Sequence, residues 1–102
     1  MTERGENHFQ CTAVLAEREV KRYTPAGIPM VAAKLLHTSE QLEAGIGRQV
    51  DLELAVIAAG EIADQLERAE LGKVFRFSGF FARKNRNSKS LVFHLAAIET
   101  IY

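Results

Sequence analysis

The segment from Lys73 to Ser90 holds the side chains with the clearest chemistry in this sequence. It reads KVFRFSGFFARKNRNSKS, with six basic residues, four phenylalanines and no acidic residue, although the whole chain has a formal net charge of zero. Basic side chains neutralise phosphates and aromatic rings stack on bases, and a single-stranded nucleic acid offers both. The segment therefore predicts a nucleic-acid interface. The alternative is that its phenylalanines belong to the core and its basic residues only solubilise a hairpin tip.

Residues outside this segment give little sign of catalysis or metal binding. His8, His37 and His94 lie far apart, and Cys11 is the only cysteine, so neither a disulfide nor a cysteine-based metal cluster can form within the chain. The sequence contains no phosphate loop, nucleophile motif or pair of catalytic carboxylates. We expect no enzymatic activity, no cofactor and no metal, and we expect His37 and His94 to be partly buried and hydrogen-bonded.

Length and composition indicate one small globular domain. The 102 residues suit a single domain spanning 1–102, in which we expect residues 1–6 to be disordered. Hydrophobic residues make up 47% of the chain, but no apolar run approaches the roughly 20 residues that span a membrane. The polar start MTERGENH lacks the apolar region of a secretory signal, so we expect a cytoplasmic location.

Apolar residues alternate with polar residues in five stretches, which predicts five strands at about 7–23, 30–38, 50–57, 73–81 and 91–101. Gly79 lies inside the fourth strand, where the missing side chain permits a bulge. The apolar faces predicted for the first, third, fourth and fifth strands are Phe9, Cys11, Ala13 and Leu15; Val50, Leu52, Leu54 and Val56; Phe75, Phe77 and Phe81; and Leu91, Phe93, Leu95 and Ile101.

The connections between these strands complete the predicted fold. Pro25 and Gly27 predict a tight first turn, and residues 39–49 are polar and contain two glycines, so we expect a flexible hairpin loop there. Apolar residues at helical spacing between 61 and 69 predict a short helix that stops near Gly72. An all-β chain with five strands and one short helix between the third and fourth is typical of the OB-fold, a Greek-key barrel.

Several short strings resemble the primosomal replication protein N (PriB) family of single-stranded DNA-binding OB-fold proteins. They are YTPAGIP at 23–29, LHTS at 36–39, AG at 44–45, RQ at 48–49, SGF at 78–80, His94, and IE at 98–99. The resemblance covers nearly the whole chain. It implies a homodimer in the bacterial cytoplasm that binds single-stranded DNA at replication forks on the nucleoid, stabilises the restart helicase PriA on DNA and helps recruit a DnaT-type loader factor.

The resemblance also implies where DNA is bound. Basic residues before the first turn and between the fourth and fifth strands contact DNA in the family, and Arg22, Lys84, Arg86 and Lys89 match those places. The full predicted set of DNA-binding residues adds Lys34, Arg48 and Arg83. Ile46 and Asp51 stand where the family has aromatic residues, and Thr38 stands where it has an arginine. Since stacking on one aromatic ring contributes about 1–3 kcal/mol per base, we expect only modest DNA affinity.

Two alternatives to a primosomal DNA-binding protein remain open. An OB-fold module with little DNA affinity would serve mainly as a docking platform between proteins. A general single-stranded DNA-binding protein would carry a long acidic, glycine-rich tail, and the sequence ends at Tyr102 without one, so we expect the primosomal class.

Overall fold

Five long strands, one two-residue strand and one helix make up the computed structural model, which describes residues 5–101. They are β1 (Phe9–Arg18), β2 (Arg22–Tyr23), β3 (Pro29–Glu43), β4 (Ile46–Ala59), α1 (Glu61–Arg68), β5 (Val74–Arg83) and β6 (Leu91–Thr100). The prediction that residues 1–6 are disordered lies, for residues 1–4, outside the described part of the chain. Residues 5 and 6 are exposed and belong to no helix or strand. Apart from the short β2, the order of strands and helix is the predicted one.

The strands form a closed barrel in the order β1-β5-β6-β4-β3, with β1 pairing back to β3 and β2 added at the edge of β3. Most neighbouring strands are antiparallel, whereas β4 and β6 are parallel and pair only through Val56 with Phe93 and Ile57 with His94. β1 pairs with β5 up to Val14 and with β3 from Val14 onward. This closed topology confirms the predicted OB-fold barrel.

The core lies inside the barrel, and it is built from the alternating apolar positions. Phe77, Phe93 and Leu15 are fully buried. Phe9 packs against Phe81 and Phe93 with ring centroids 5.1 and 5.3 Å apart. Most of the predicted faces are therefore confirmed, but the assignment of Leu52 and Leu91 to them was wrong, since both are exposed. Two buried residues of α1, Ala63 and Leu66, join the same core.

A bulge opposite Gly79 changes the alternation of β6. The pairing moves from Ser78 with Ala97 to Gly79 with Leu95, which leaves Ala96 without a partner in β5. The predicted irregularity at Gly79 is thus confirmed. Because the extra residue reverses the side that later residues face, Ile98 packs against the core. The prediction that Ile101 continues the apolar face was wrong, since it lies beyond the strand and is 36% exposed.

The hairpin predicted at residues 39–49 is confirmed, but most of these residues are paired strand, so the prediction that they form its loop was wrong. β3 and β4 stay paired as far as Glu43 and Ile46. Ala44 and Gly45 form the turn with φ values of 54° and 76°, and positive φ at both positions is the property of a type I′ turn. The ribbon extends beyond the core with both faces exposed to solvent, and its polar residues therefore resemble those of a loop.

Residues before β2 attach α1 to the barrel. The Arg18 guanidinium donates hydrogen bonds to the carbonyl oxygens of Leu66 and Ala69 at the helix carboxyl end. Lys21 forms ion pairs with Asp64 at 2.7 Å and Glu67 at 3.1 Å, and its hydrogen bond to Asp64, with that to Glu67, raises the pKa of its ammonium group. The helix ends at Arg68, and the predicted stop at Gly72 instead lies in the turn before β5.

Candidate nucleic-acid interface

Residues 84–90 form a closed turn between β5 and β6, which we call the basic loop. The Lys84 N–H donates to the Ser90 carbonyl at 3.1 Å and so extends the strand pairing by one step. Within the loop, Asn85 accepts from the N–H of Asn87 through its side chain at 2.9 Å and from the N–H of Ser88 through its carbonyl at 3.1 Å. Asparagine favours such turns because its side chain bonds its own backbone two residues on. The loop therefore has a defined backbone from which its basic side chains project.

Five of the seven predicted contacts are exposed cations that form no ion pair with any residue of the range 5–101: Arg22, Arg83, Lys84, Arg86 and Lys89. A cation without a carboxylate partner can neutralise a phosphate without first losing an internal contact. Four of the five belong to the basic loop or to the strand residue that precedes it, so the electrostatic attraction is concentrated there.

The other two predicted contacts share their charge with acidic neighbours. Lys34 lies 3.3 Å from Glu53 and 3.6 Å from Glu17, and its hydrogen bond to Glu53 is the main reason that its pKa is raised. Arg48 forms an ion pair with Glu43 near the tip of the hairpin. Phosphate binding at either position would compete with these carboxylates.

A groove of about 440 Å³ lies on the outer face of β3, β4 and β6. Arg22, Lys34 and Lys84 line it together with two acidic residues, Glu17 and Glu19, and its apolar floor includes Ala32, Ala55, Ile57 and Val92. Arg48 lies seven residues farther along the ladder than Lys34, about 23 Å away along the strand. The structure thus brings three predicted contacts together at the groove and places Arg48 apart from them.

The outer face of the hairpin beyond Lys34 is acidic. Asp51 pairs with Thr38, Glu53 pairs with Leu36, and Glu40 follows on the same side of β3. All three acidic residues are exposed, which confirms the prediction that Asp51 points outward. Ile46 is also exposed, beside the turn. The hairpin therefore offers carboxylates and aliphatic side chains where the family resemblance implies aromatic ones.

The two strand histidines differ in their surroundings. The Nδ1 atom of His37 donates to the Thr12 carbonyl at 2.6 Å, and its Nε2 atom then accepts from the Ser39 hydroxyl at 2.8 Å. His37 is thus hydrogen-bonded and half-buried, as predicted. His94 is half-buried as predicted, but the predicted hydrogen bond of its ring is not found among the described residues. The ring instead stacks on Phe80 with centroids 5.0 Å apart and an interplanar angle of 3°.

Phe80 is the aromatic residue that the sequence reasoning did not assign to a face. It is 43% exposed on the outside of the barrel, whereas Phe75, Phe77 and Phe81 point inward. Its position between two inward-facing neighbours in an alternating strand is the signal that could have identified it. The partner on the next strand, His94, depends on a register that the sequence does not give.

The closed barrel is an OB-fold, and comparison with known families assigns the chain to the single-strand binding class. A family model described as another single-strand binding protein family matches residues 7–97. The replication restart protein PriB of Nitrosomonas europaea is 45% identical over 91 residues, covering 89% of this chain and 84% of that protein. PriB of Bordetella pertussis is 35% identical over 89 residues, covering 87% and 83%. The chain belongs to the PriB family of replication restart proteins.

One solved structure supports this assignment, and a more distant one shares the fold. PriB from Ralstonia solanacearum is 41% identical and superposes with a TM-score of 0.89, covering 96% of this chain and all of that one. A Plasmodium falciparum SSB in complex with ssDNA shares the fold with a TM-score of 0.76 at 12% identity, covering 100% of both chains. The family resemblance in the sequence is therefore confirmed.

Two further observations concern metals and membranes. Among residues 5–101, no three His, Cys, Asp or Glu side chains are grouped so as to hold a metal ion. The helix in the described part of the chain is too short and too polar to cross a membrane.

Proposed function

We propose that this protein binds single-stranded DNA at stalled replication forks in the bacterial cytoplasm and acts there as an accessory protein of the primosome. The observation that carries the proposal is the basic loop, whose exposed cations have no acidic partner among residues 5–101 and which adjoins a groove on the outer face of an OB-fold barrel. Family membership supports the same role. The function includes stabilising the restart helicase PriA on DNA and helping to recruit a DnaT-type loader factor.

The seven basic residues contribute unequally in this proposal. Lys84, at the groove, joins Arg86 and Lys89 in holding the phosphates, with Arg22 and Arg83 beside them. Lys34 and Arg48 contribute less because each must first leave a carboxylate. Nothing in the basic loop resembles a base-reading arrangement, so we expect binding that is nearly independent of DNA sequence.

Replacing Lys84, Arg86 and Lys89 together by alanine tests this function. For single strands, the logarithm of the binding constant falls with the logarithm of the salt concentration by roughly 0.7 for each phosphate contacted. Removing three contacts should therefore make this slope shallower by about 2 and cause a large loss of affinity. The measurement is fluorescence anisotropy of a labelled oligonucleotide at several salt concentrations. Lys34→Ala is the matched control and should have a much smaller effect. Wild-type affinity in the triple variant would contradict the proposal.

A second candidate function, a protein-docking module with little DNA affinity, is favoured by the acidic outer face of the hairpin. Glu40, Asp51 and Glu53 repel phosphates there and could instead contact basic residues of a protein partner. Replacing all three by their amides distinguishes the two functions. Unchanged or tighter DNA binding with loss of helicase association would assign this face to protein contacts.

We also propose that the protein is a homodimer. The side of β1 that faces away from β5 pairs with β3 only from Val14 onward, so within the described residues the first half of this strand has an edge with no strand partner. Such an edge is a template for pairing with a second copy. Sedimentation equilibrium at micromolar concentration should give twice the mass of 11.3 kDa, and a monomer mass would contradict the proposal.

A further inference from the structure

An aromatic pair stands on the outer face of β5 and β6. Phe80 and His94 are cross-strand partners whose rings are parallel within 3° and 5.0 Å apart at their centroids. His94 covers one side of the Phe80 ring, yet 43% of Phe80 remains exposed. A flat ring held in a fixed plane with an open surface is the form of a stacking platform.

This pair is continuous with the groove that the basic loop adjoins. His94 pairs with Ile57, and Val92 lies two residues before His94 on the same side of β6. Ile57 and Val92 both line the groove. Phe80 and Lys84 are four residues apart on one side of β5 and its extension, a distance of about 13 Å. An apolar surface therefore connects the aromatic pair to the cations that hold phosphates.

We propose that Phe80, held in its plane by His94, is a base-stacking platform for single-stranded DNA. The inference rests on the proposed function, since it adds a stacking surface to a strand whose phosphates lie on the basic loop. Every base has a flat face, so such a platform accepts any sequence. Ile46 and Asp51 on the hairpin cannot stack, and a platform on β5 moves the stacking half of the site away from the acidic hairpin toward the basic loop.

Phe80→Trp gives a direct test because the chain contains no tryptophan. The indole keeps a flat ring at this position, and a base stacked on it quenches its fluorescence. We expect quenching that saturates together with the binding of a labelled thymidine oligonucleotide. Leu71→Trp is the matched control, because Leu71 is similarly exposed, at 48%, in the turn after α1. Its fluorescence should not change on DNA binding.

Phe80→Ala and Phe80→Leu measure what the ring contributes to affinity. Both should weaken binding by roughly 5- to 150-fold, since leucine keeps apolar volume but has no flat face. The salt slope should stay at the wild-type value because no charge is removed. That unchanged slope separates a lost platform from a lost phosphate contact, which the basic-loop variant should show.

Three results would overturn the inference. Wild-type affinity in Phe80→Ala and Phe80→Leu would do so, as would unquenched fluorescence of Phe80→Trp bound to DNA. If the Phe80 variants keep wild-type affinity, or Phe80→Trp is not quenched, while the basic-loop variant still loses affinity, then only the stacking platform is wrong and the proposed function stands. If the wild-type protein itself fails to bind the oligonucleotide at low salt, the proposed function and the platform are both wrong. Should Phe80→Ala unfold, Phe80→Trp still decides the question.

Discussion

At the residue scale, Gly79 is the position where one added methyl group meets the most rigid surroundings. A Cβ atom there would overlap the carbonyl oxygen of His94 and lie 3.0 Å from the ring of Phe93. Both neighbours are fixed, one by the β5–β6 ladder and the other by the core. The glycine thus permits the close approach that forms the bulge in β6.

Gly79→Ala should lower the free energy of unfolding by roughly 1–3 kcal/mol, as overpacking in a tight core does. Urea denaturation followed by circular dichroism measures the change. Gly47→Ala is the control, because its Cβ would meet only the side chain of Glu40, at 3.1 Å, which can rotate away. Equal stabilities of the two variants would show that the β5–β6 ladder can move to make room.

Asp51 is the residue where the hairpin can be made to favour DNA. The carboxylate is exposed opposite Thr38, so its replacement leaves the core intact. Asp51→Trp removes a repulsive charge and adds a stacking surface, and it should tighten single-strand binding about tenfold, ~1.4 kcal/mol. Asp51→Asn removes only the charge and should give the smaller gain. If oligonucleotide titration shows no gain for either variant, DNA does not reach this face.

At the element scale, the β3–β4 hairpin depends on its two-residue turn. Ala44 is the one non-glycine residue with positive φ in the range 5–101, and alanine is strained in that conformation whereas asparagine tolerates it. Ala44→Asn should therefore stabilise the hairpin by about 1 kcal/mol. Slower amide exchange at the distal strand residues measures this. Ala26→Asn, at a turn position without positive φ, should leave exchange unchanged.

The elements that could be predicted from the sequence are those with one buried face. Phe75 and Phe77 alternate with polar residues because one side of β5 faces the core and the other faces solvent. That contrast between the two sides identifies a strand. The end of the hairpin has solvent on both faces, so residues 39–49 contain no such contrast, and their polar sequence is typical of a loop although most of them are paired strand. In β6 the bulge at Ala96 reverses the side of the strand that the following residues face. Simple alternation, which ignores the bulge, therefore predicts the wrong side for Ile101.

The candidate site was predictable to the extent that it depends on local sequence. The cations of the basic loop are neighbours in the chain and could be assigned together. The neutralisation of Lys34 by Glu17 and Glu53 requires three strands in a particular register, and so does the stacking of Phe80 on His94. Cross-strand register arises from the packed barrel and cannot be read from one strand alone.

At the scale of the whole molecule, the formal net charge is zero, but the protein carries one basic surface and one acidic surface. The basic loop and the acidic outer face of the hairpin lie at different places on the barrel. In the proposed function, a single strand of DNA drawn to the basic loop would be repelled by the acidic face, so the charge distribution would orient the DNA as well as attract it. The same separation would leave the acidic face free for a protein while DNA is bound.

The barrel is closed between β4 and β6 by a ladder of two pairs, as short as the one that joins the edge strand β2 to β3. The hairpins β3–β4 and β5–β6 link residues close in sequence and can form early, whereas this closure joins residues far apart in the chain and forms late. We expect the amides of Val56, Ile57, Phe93 and His94 to exchange with solvent sooner than those in the middle of β5. Opening there would uncover the buried Phe93 ring and two unpaired strand edges, which are the surfaces that drive aggregation. We therefore expect the lifetime of the protein in solution to depend on how often the β4–β6 pairing opens.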